Sequence, residues 1–281
     1  MTKIDDLWSI CGFMKELSLA EIKEAELGLL RRLHGFCREH GIRYFLSHGT
    51  LLGAVKYRGF ILWDDDVDVC LLREDYDRLL KLFPDDGRYR LFAHEKDPAY
   101  RYPYAKLCDM TTRKLEPGYD NGVELGVDID IFPLDHWEDD LEKAKGEVRR
   151  LRRLAFCLGL SKRTEADSRN PIKRVVKEVL RGWCHLRGSG YYIRKIGEYA
   201  NRPELRGSRY LGCKVWCLYG EGEIIPAEAF ADSVELEFEG MTFPAPVGYE
   251  AFLTGLYGDY RQEPPPEKRR SHHCFMAYRR G

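Results

Sequence analysis

Asp64, Asp65, Asp66 and Asp68 crowd into one short stretch, set among Trp63, Val67 and Val69. Along a strand, Asp64, Asp66 and Asp68 share one face, while Asp65, Val67 and Val69 share the other. Carboxylates beside apolar neighbours are costly unless something positive compensates them. A hard divalent cation is the economical partner, and Mg²⁺ typically takes one or two carboxylates plus substrate phosphate oxygens. An acidic surface turn is the plain alternative, and it sits badly with the apolar residues around the second and third carboxylates. A second acidic stretch, GVDIDIFPL over 126–134, puts Asp128 and Asp130 on one face and Val127, Ile129 and Ile131 on the other. Two such strands can converge on one cation, which predicts a shared metal site.

That chemistry suits phosphoryl or nucleotidyl transfer to a hydroxyl. The cation neutralises charge on the phosphate and leaving group, while a third carboxylate ligates it or takes the acceptor's proton. Glycoside hydrolysis also uses paired carboxylates, yet aspartates at alternating positions suit ligands of one cation better. A non-catalytic cation-binding module is the third reading, and Mg²⁺-dependent turnover of a nucleotide-activated donor separates it from an enzyme. Gly49 and Thr50 can place amides or a hydroxyl against a phosphate if a helix starts there, although a plain helix start explains Thr50 equally well. The GxxxxGK[ST] phosphate loop is absent from the sequence. Lys106 is suited either to a phosphate or to a surface pair with Asp109. Thr111, Thr112 and Arg113 make a polar turn of similar ambiguity. In the basic, proline-rich tail, Arg269 and His272 suit phosphate or an acidic cluster.

The elements that must position these groups follow from periodicity. Ile22, Ala25, Leu29, Leu33, Phe36 and Cys37 predict a helix over 19–40 that Gly41 stops. A packed arm or short helix is expected before it, and a short strand over 42–46 after it. A helix is expected from Leu51, a strand over 61–72 after a turn at Gly59, and a helix ending at Pro84. Residues 85–110 read as turns and aromatics, and Pro133 is expected to end the second acidic strand. Alternation over 234–239 predicts a strand with one wet face, Gly240 a turn, and Phe252, Leu253 and Leu256 a short helix.

With 281 residues and 44% hydrophobic content, one large domain or a domain with a sizeable insertion is expected. The net charge of -1 gives no reason to expect nucleic acid as a partner. Residues 141–190 nevertheless hold 14 Lys or Arg against 5 Asp or Glu. They read as basic helices with either a solvated face or contact with an anionic membrane or lipid-linked acceptor. The nine dispersed cysteines suggest buried thiols in a reducing compartment, and Cys213 and Cys217 lack a partner pair for zinc. With no signal segment or membrane-spanning run, a cytoplasmic location is expected, extending to the inner face of the membrane.

HGTLLGAVKYRGFILWDDDVDVC, AKLCDMTTRK, IDIFPLD and the late FEGMTFPAPVGYEAFLTGLYGDY with PPPEKRRSHH together resemble the LicD-type phosphocholine transferase family, related to fukutin and fukutin-related protein. The resemblance covers roughly 25–135 and 230–273. It implies an α/β (α+β) fold: a nucleotidyltransferase-like mixed sheet flanked by helices, with 1–135 and 206–281 forming the catalytic domain and 136–205 a basic helical insertion. It also implies a Mg²⁺-dependent phosphotransferase, with Mn²⁺ as the alternative ion. The donor would be CDP-choline or another CDP-alcohol such as CDP-ribitol or CDP-glycerol. The acceptor would be a glycan hydroxyl of teichoic acid, lipopolysaccharide or a related polymer. Carried over, Asp66 and Asp68 are the paired metal ligands, Asp64 a further ligand, and Asp130 a ligand or the acceptor-activating group. Gly49 and Thr50 fall at the donor-phosphate turn, and Lys106, Arg113, Arg269 and His272 at phosphate or nucleotide contacts. Asp128 departs from the family pattern, where an apolar or aromatic residue is usual, and is a candidate supporting group beside Asp130.

Overall fold

In the computed structural model, residues 15–165, 171–265, 267, 269 and 275–280 are described. After the two-residue strand β1 (Lys15–Glu16), helix α1 (Leu19–His40) forms where the apolar spacing predicts it. Its start is fixed by a capping box: the Glu21 N–H donates to Ser18 Oγ (3.3 Å) and the Ser18 N–H to Glu21 Oε2 (2.9 Å). Gly41 ends it at φ 59°, a left-handed conformation that only glycine adopts without cost. There follow β2 (Phe45–Leu46), α2 (His48–Tyr57), β3 (Asp68–Leu72), α3 (Arg73–Leu82), β4 (Tyr89–Phe92), β5 (Ala105–Leu115) and β6 (Leu125–His136). Three basic helices come next: α4 (Leu141–Lys162), α5 (Pro171–Arg187) and α6 (Ser189–Ala200). The chain returns through β7 (Tyr210–Gly212), β8 (Ile225–Pro226), the hairpin β9 (Ser233–Phe238) and β10 (Met241–Pro246), α7 (Tyr249–Tyr257) and β11 (Met276–Arg279).

Nine of the described strands join one mixed sheet, with the path β1-β11-β5-β6-β3-β2 and β4, β7 and β8 off it. The β3–β6 pair is parallel, and its register sets Asp68 directly opposite Asp130. The expected mixed α/β architecture is therefore present, with helices against the sheet. Leu29, Leu30 and Leu33 of α1 are fully buried in a core cluster that also holds Ile129 and Ile131 of β6 and Leu107 of β5. Val148, Leu151, Leu158 and Leu160 of α4 and Ile193 and Ile196 of α6 belong to the same cluster.

Several local expectations are corrected. The first acidic strand starts at Asp68 and not at Ile61, because the Asp64 N–H donates back to Ile61 O (3.0 Å) and closes a turn there. Residues 105–115 are not turn-rich but form the long strand β5, between β6 and β11. Pro133 does not end β6. Its missing N–H faces away from β3, in the gap between the last β5 pair at Ile131 and the first β7 pair at Asp135, so no ladder bond is lost. The arm expected over 1–20 lies, before residue 15, outside the described residues. Cys37, Cys70, Cys108, Cys184, Cys213 and Cys217 are free and buried.

Candidate functional site

The site is built where β2 gives way to α2 and β3 meets β6. Thr50, in the first turn of α2, is buried, and its Oγ1 accepts the Asp68 N–H (2.8 Å). The hydroxyl thus ties the helix start to the first residue of β3. At Gly49 a Cβ would lie 2.5 Å from Asp64 Oδ2, so only a bare backbone lets that carboxylate approach the helix. At Gly53 a Cβ would meet Gly59 O at 2.4 Å, which holds the loop toward the aspartates against α2. Gly49 and Thr50, read from sequence as a phosphate turn, thus also shape the acidic site itself, together with Gly53.

Charge is unevenly compensated there. Burial pushes the Asp68 carboxyl well above the ordinary carboxylate range, and Asp66, Asp130 and Asp64 push it further, against a smaller pull from Lys106. Asp130 is raised by burial as well, with Lys106 opposing and Asp128 adding to the rise. Asp128 goes the other way. Burial alone would raise it, but Lys106 and Lys114 outweigh that and hold it below the usual value. The Lys106 Nζ lies 2.7 Å from Asp128 Oδ1 and makes a very short contact with Asp130 Oδ1, and Lys114 Nζ lies 3.1 Å from Asp128 Oδ2. Burial alone would lower the Lys106 pKa, yet Asp128 and Asp130 hold it well above the ordinary lysine value. Two lysines therefore offset the charge of Asp128, while at Asp68 three carboxylates outweigh one lysine.

Asp66, Asp128, Asp130, Lys106 and Lys114 line a cavity of about 430 Å³. Its other walls are Arg101, Tyr102, Tyr104, Glu116 and Tyr119 around β5, Trp216, and Leu158, Gly159 and Lys162 at the end of α4. Lys162 was not foreseen from the sequence, where it is one of many basic residues in a helical run. It is buried, with Nζ 3.0 Å from the centre of the Tyr102 ring. Burial, joined by Lys106 and Arg101, outweighs Glu116 and Asp130 and lowers its pKa to about 7. Lys106 Nζ also lies over Tyr102 (5.0 Å) and Tyr104 (5.6 Å), so ammonium groups already occupy those ring faces.

The remaining expected residues divide. Lys106 does not pair with Asp109: it points into the cavity, whereas Asp109 accepts from Thr111 and lies 3.5 Å from Arg88. Arg113, one residue before Lys114, is directed to Glu124 (3.7 Å) and is not among the cavity residues. Arg269 lies over the Trp63 ring (5.6 Å) and donates to Pro264 O, beside the acidic loop. His272 lies outside the described residues. Glu26 of α1 is a further acid that the helical pattern hid. It is buried, its Oε2 has no hydrogen-bond partner among the described residues, and burial followed by Asp66 raises its pKa well above the ordinary value.

Among the described residues, no group of three or more His, Cys, Asp and Glu side chains is gathered closely enough to hold a metal ion alone. The donor set still fits a hard cation. Mg²⁺ typically needs one or two carboxylates and completes its shell with water and phosphate oxygens. A cation at Asp66 and Asp68 would offset the mutual repulsion that raises Asp68.

Residues 41–149 match the family described as LicD/FKTN/FKRP, nucleotidyltransferase domain. The lipopolysaccharide cholinephosphotransferase LicD of Haemophilus influenzae is 28% identical over 94% of this chain and 99% of its own length. An uncharacterized protein of Rickettsia prowazekii is 38% identical over 20% of this chain and 21% of its own length. One from Rickettsia typhi is 33% identical over 25% of this chain and 23% of its own. The acidic loop, Thr50, Lys106, Asp128 and Asp130 all fall inside the matched domain.

Proposed function

This chain belongs to the LicD family, and on that premise we propose that it transfers phosphocholine from CDP-choline to a glycan hydroxyl, releasing CMP. The acceptor oxygen forms the new bond to the phosphorus that carries choline, the bond from that phosphorus to the CMP oxygen breaks, and the hydroxyl proton is given up. The observation that carries the reading is the Asp68–Asp130 pair, face to face on parallel strands beside a cavity lined by Asp66, Lys106 and Lys162. Asp66 and Asp68 would hold Mg²⁺, with Asp64 beside them, and the ion would supply charge neutralisation at the diphosphate. Lys106, fixed between Asp128 and Asp130, keeps the Asp130 carboxylate oriented toward the cavity. Asp130 then either completes the ligand set or accepts the proton of the incoming hydroxyl. Lys162 and Arg101, which line the same cavity, present positive charge to the donor phosphates. The H. influenzae relative's name gives lipopolysaccharide as its acceptor, so a lipopolysaccharide glycan is the first acceptor to offer. Teichoic acid, and CDP-ribitol or CDP-glycerol as donor, are the alternatives.

CMP release from CDP-choline with Mg²⁺ and a glycan acceptor tests the proposal. Asp66→Asn and Asp68→Asn are each expected to lower turnover by roughly 100-fold or more while remaining folded. Calorimetric titration of Mg²⁺ with donor present should show the same loss as weakened binding. Normal turnover by both folded variants would reject the assignment, and release from CDP-ribitol alone would change the alcohol.

A further inference from the structure

Helix α5 carries an apolar face that nothing among the described residues covers. Val175, Val176, Val179, Leu180, Trp183 and Leu186 are all exposed, Val179 by 69% and Leu186 by 85%. At about 100° per residue these six fall within an arc of roughly 140°. Cys184, on the other side of the helix, is buried in the main core cluster, so the outward direction of the apolar face is set by packing. Exposed Val, Leu and Trp together on one helix are unlike the scattered single apolar residues of an ordinary surface.

Charge decides between occupants. Over 171–187 the sequence has five Lys or Arg against one Glu, and the exposed Arg187 falls within the apolar arc, over the Trp183 ring at 4.0 Å. A second copy docked face to face across a two-fold axis would set one basic helix against another. An anionic bilayer surface instead receives apolar side chains into its headgroup region and cations among its phosphates. A tryptophan on the same face suits the water–hydrocarbon boundary. The helix has 17 residues, and no helix among the described residues is long and apolar enough to cross a membrane. Lying in the plane is the geometry left for this face.

We propose that α5 is an in-plane anchor that docks the protein on an anionic lipid surface through Val175, Val176, Val179, Leu180, Trp183 and Leu186. The inference stands on the exposed face and does not depend on the transfer reaction, so its test contains neither donor nor acceptor. The full chain is sedimented with vesicles of phosphatidylcholine alone or mixed with phosphatidylglycerol. Wild type is expected to pellet with the mixed vesicles, less so as salt rises, and to show a blue-shifted tryptophan emission that Trp183→Phe removes. Val179→Glu with Leu186→Glu should weaken partitioning at least about tenfold, and Arg187→Gln should reduce the preference for anionic lipid. All three positions are exposed, so circular dichroism should match wild type. A wild type that stays in the supernatant with mixed vesicles overturns the proposal. So does unchanged binding by the double glutamate variant, or a concentration-dependent dimer that this variant dissociates without any wild-type vesicle binding.

Discussion

Lys162 is held where an ammonium group is least comfortable, behind α4 with its Nζ against Tyr102 and a pKa lowered to about 7 by burial, Lys106 and Arg101. In the unfolded chain the same amine titrates near ~10.4. Its folded value is depressed, so the neutral form is the better tolerated one. The resulting penalty is absent above the unfolded value, grows as pH falls toward 7, and is constant below that. Lys162→Met should therefore stabilise the free protein by an amount of the order of 2–4 kcal/mol at pH 6. The gain should shrink to less than about 1 kcal/mol by pH 10, as read from urea unfolding at the two pH values. The cost makes sense if the amine waits for an anion. At pH 8, donor binding should take up nearly one proton in wild type and none in Lys162→Met, measured by calorimetry in buffers of different ionisation enthalpy. Cations lie over Tyr102, Tyr104, Tyr119 and Phe275, so the ring left to a trimethylammonium group in this cavity is Trp216, over which no cation lies among the described residues. Trp216→Leu should raise KM for CDP-choline by roughly 5- to 30-fold, and unchanged KM would remove the indole from choline recognition.

At the scale of elements, the first turn of α2 and the first residue of β3 are joined by one side chain. Thr50→Val keeps the shape and deletes the acceptor, leaving the Asp68 N–H unmatched at a cost of about 1–3 kcal/mol. Activity should fall further than stability does, because Asp68 is the residue released, and Thr50→Ser should restore both. Periodicity made much of this frame legible: α1, α7 and the β9–β10 hairpin each keep apolar residues at regular helical or alternating spacing over their whole length. The facing of Asp68 and Asp130 was legible too, since alternation fixes which face a strand residue occupies. What alternation could not reveal was β5, whose Lys106, Asp109 and Lys114 interrupt the pattern and whose register shifts between Asp109 and Lys114. Two of those lysines face the cavity, so the residues that hid the strand are ones that its position at the site explains. The opposite error arose at 61–67, where the alternation that holds from Asp66 to Val69 was extended back over a turn. Lys162 and Glu26 left no local signal, because a buried charge on an amphipathic helix looks like its solvated neighbours until the packing partner is known.

Across the whole molecule, the basic helices are bound to the sheet by more than a hinge. Val148, Leu151, Leu158 and Leu160 of α4 and Ile193 and Ile196 of α6 lie in the same core cluster as α1 and β6. The last turn of α4 also closes one wall of the cavity. Removing 141–200 and joining the ends would strip six buried aliphatic side chains from their core. At ~1.5–3 kcal/mol each that is about 9–18 kcal/mol, against a net stability of about 5–15 kcal/mol for a whole domain. The shortened chain should therefore show no cooperative thermal transition, whereas the full chain is expected to melt in one step that CDP-choline with Mg²⁺ shifts upward. A shortened protein that melts sharply and still binds CDP would show that these helices are an appendage. Failure of both properties at once, with wild type intact, is what a shared core demands, because Val148, Leu151, Leu158 and Leu160 lie on the same helix as the lysine proposed to meet the donor.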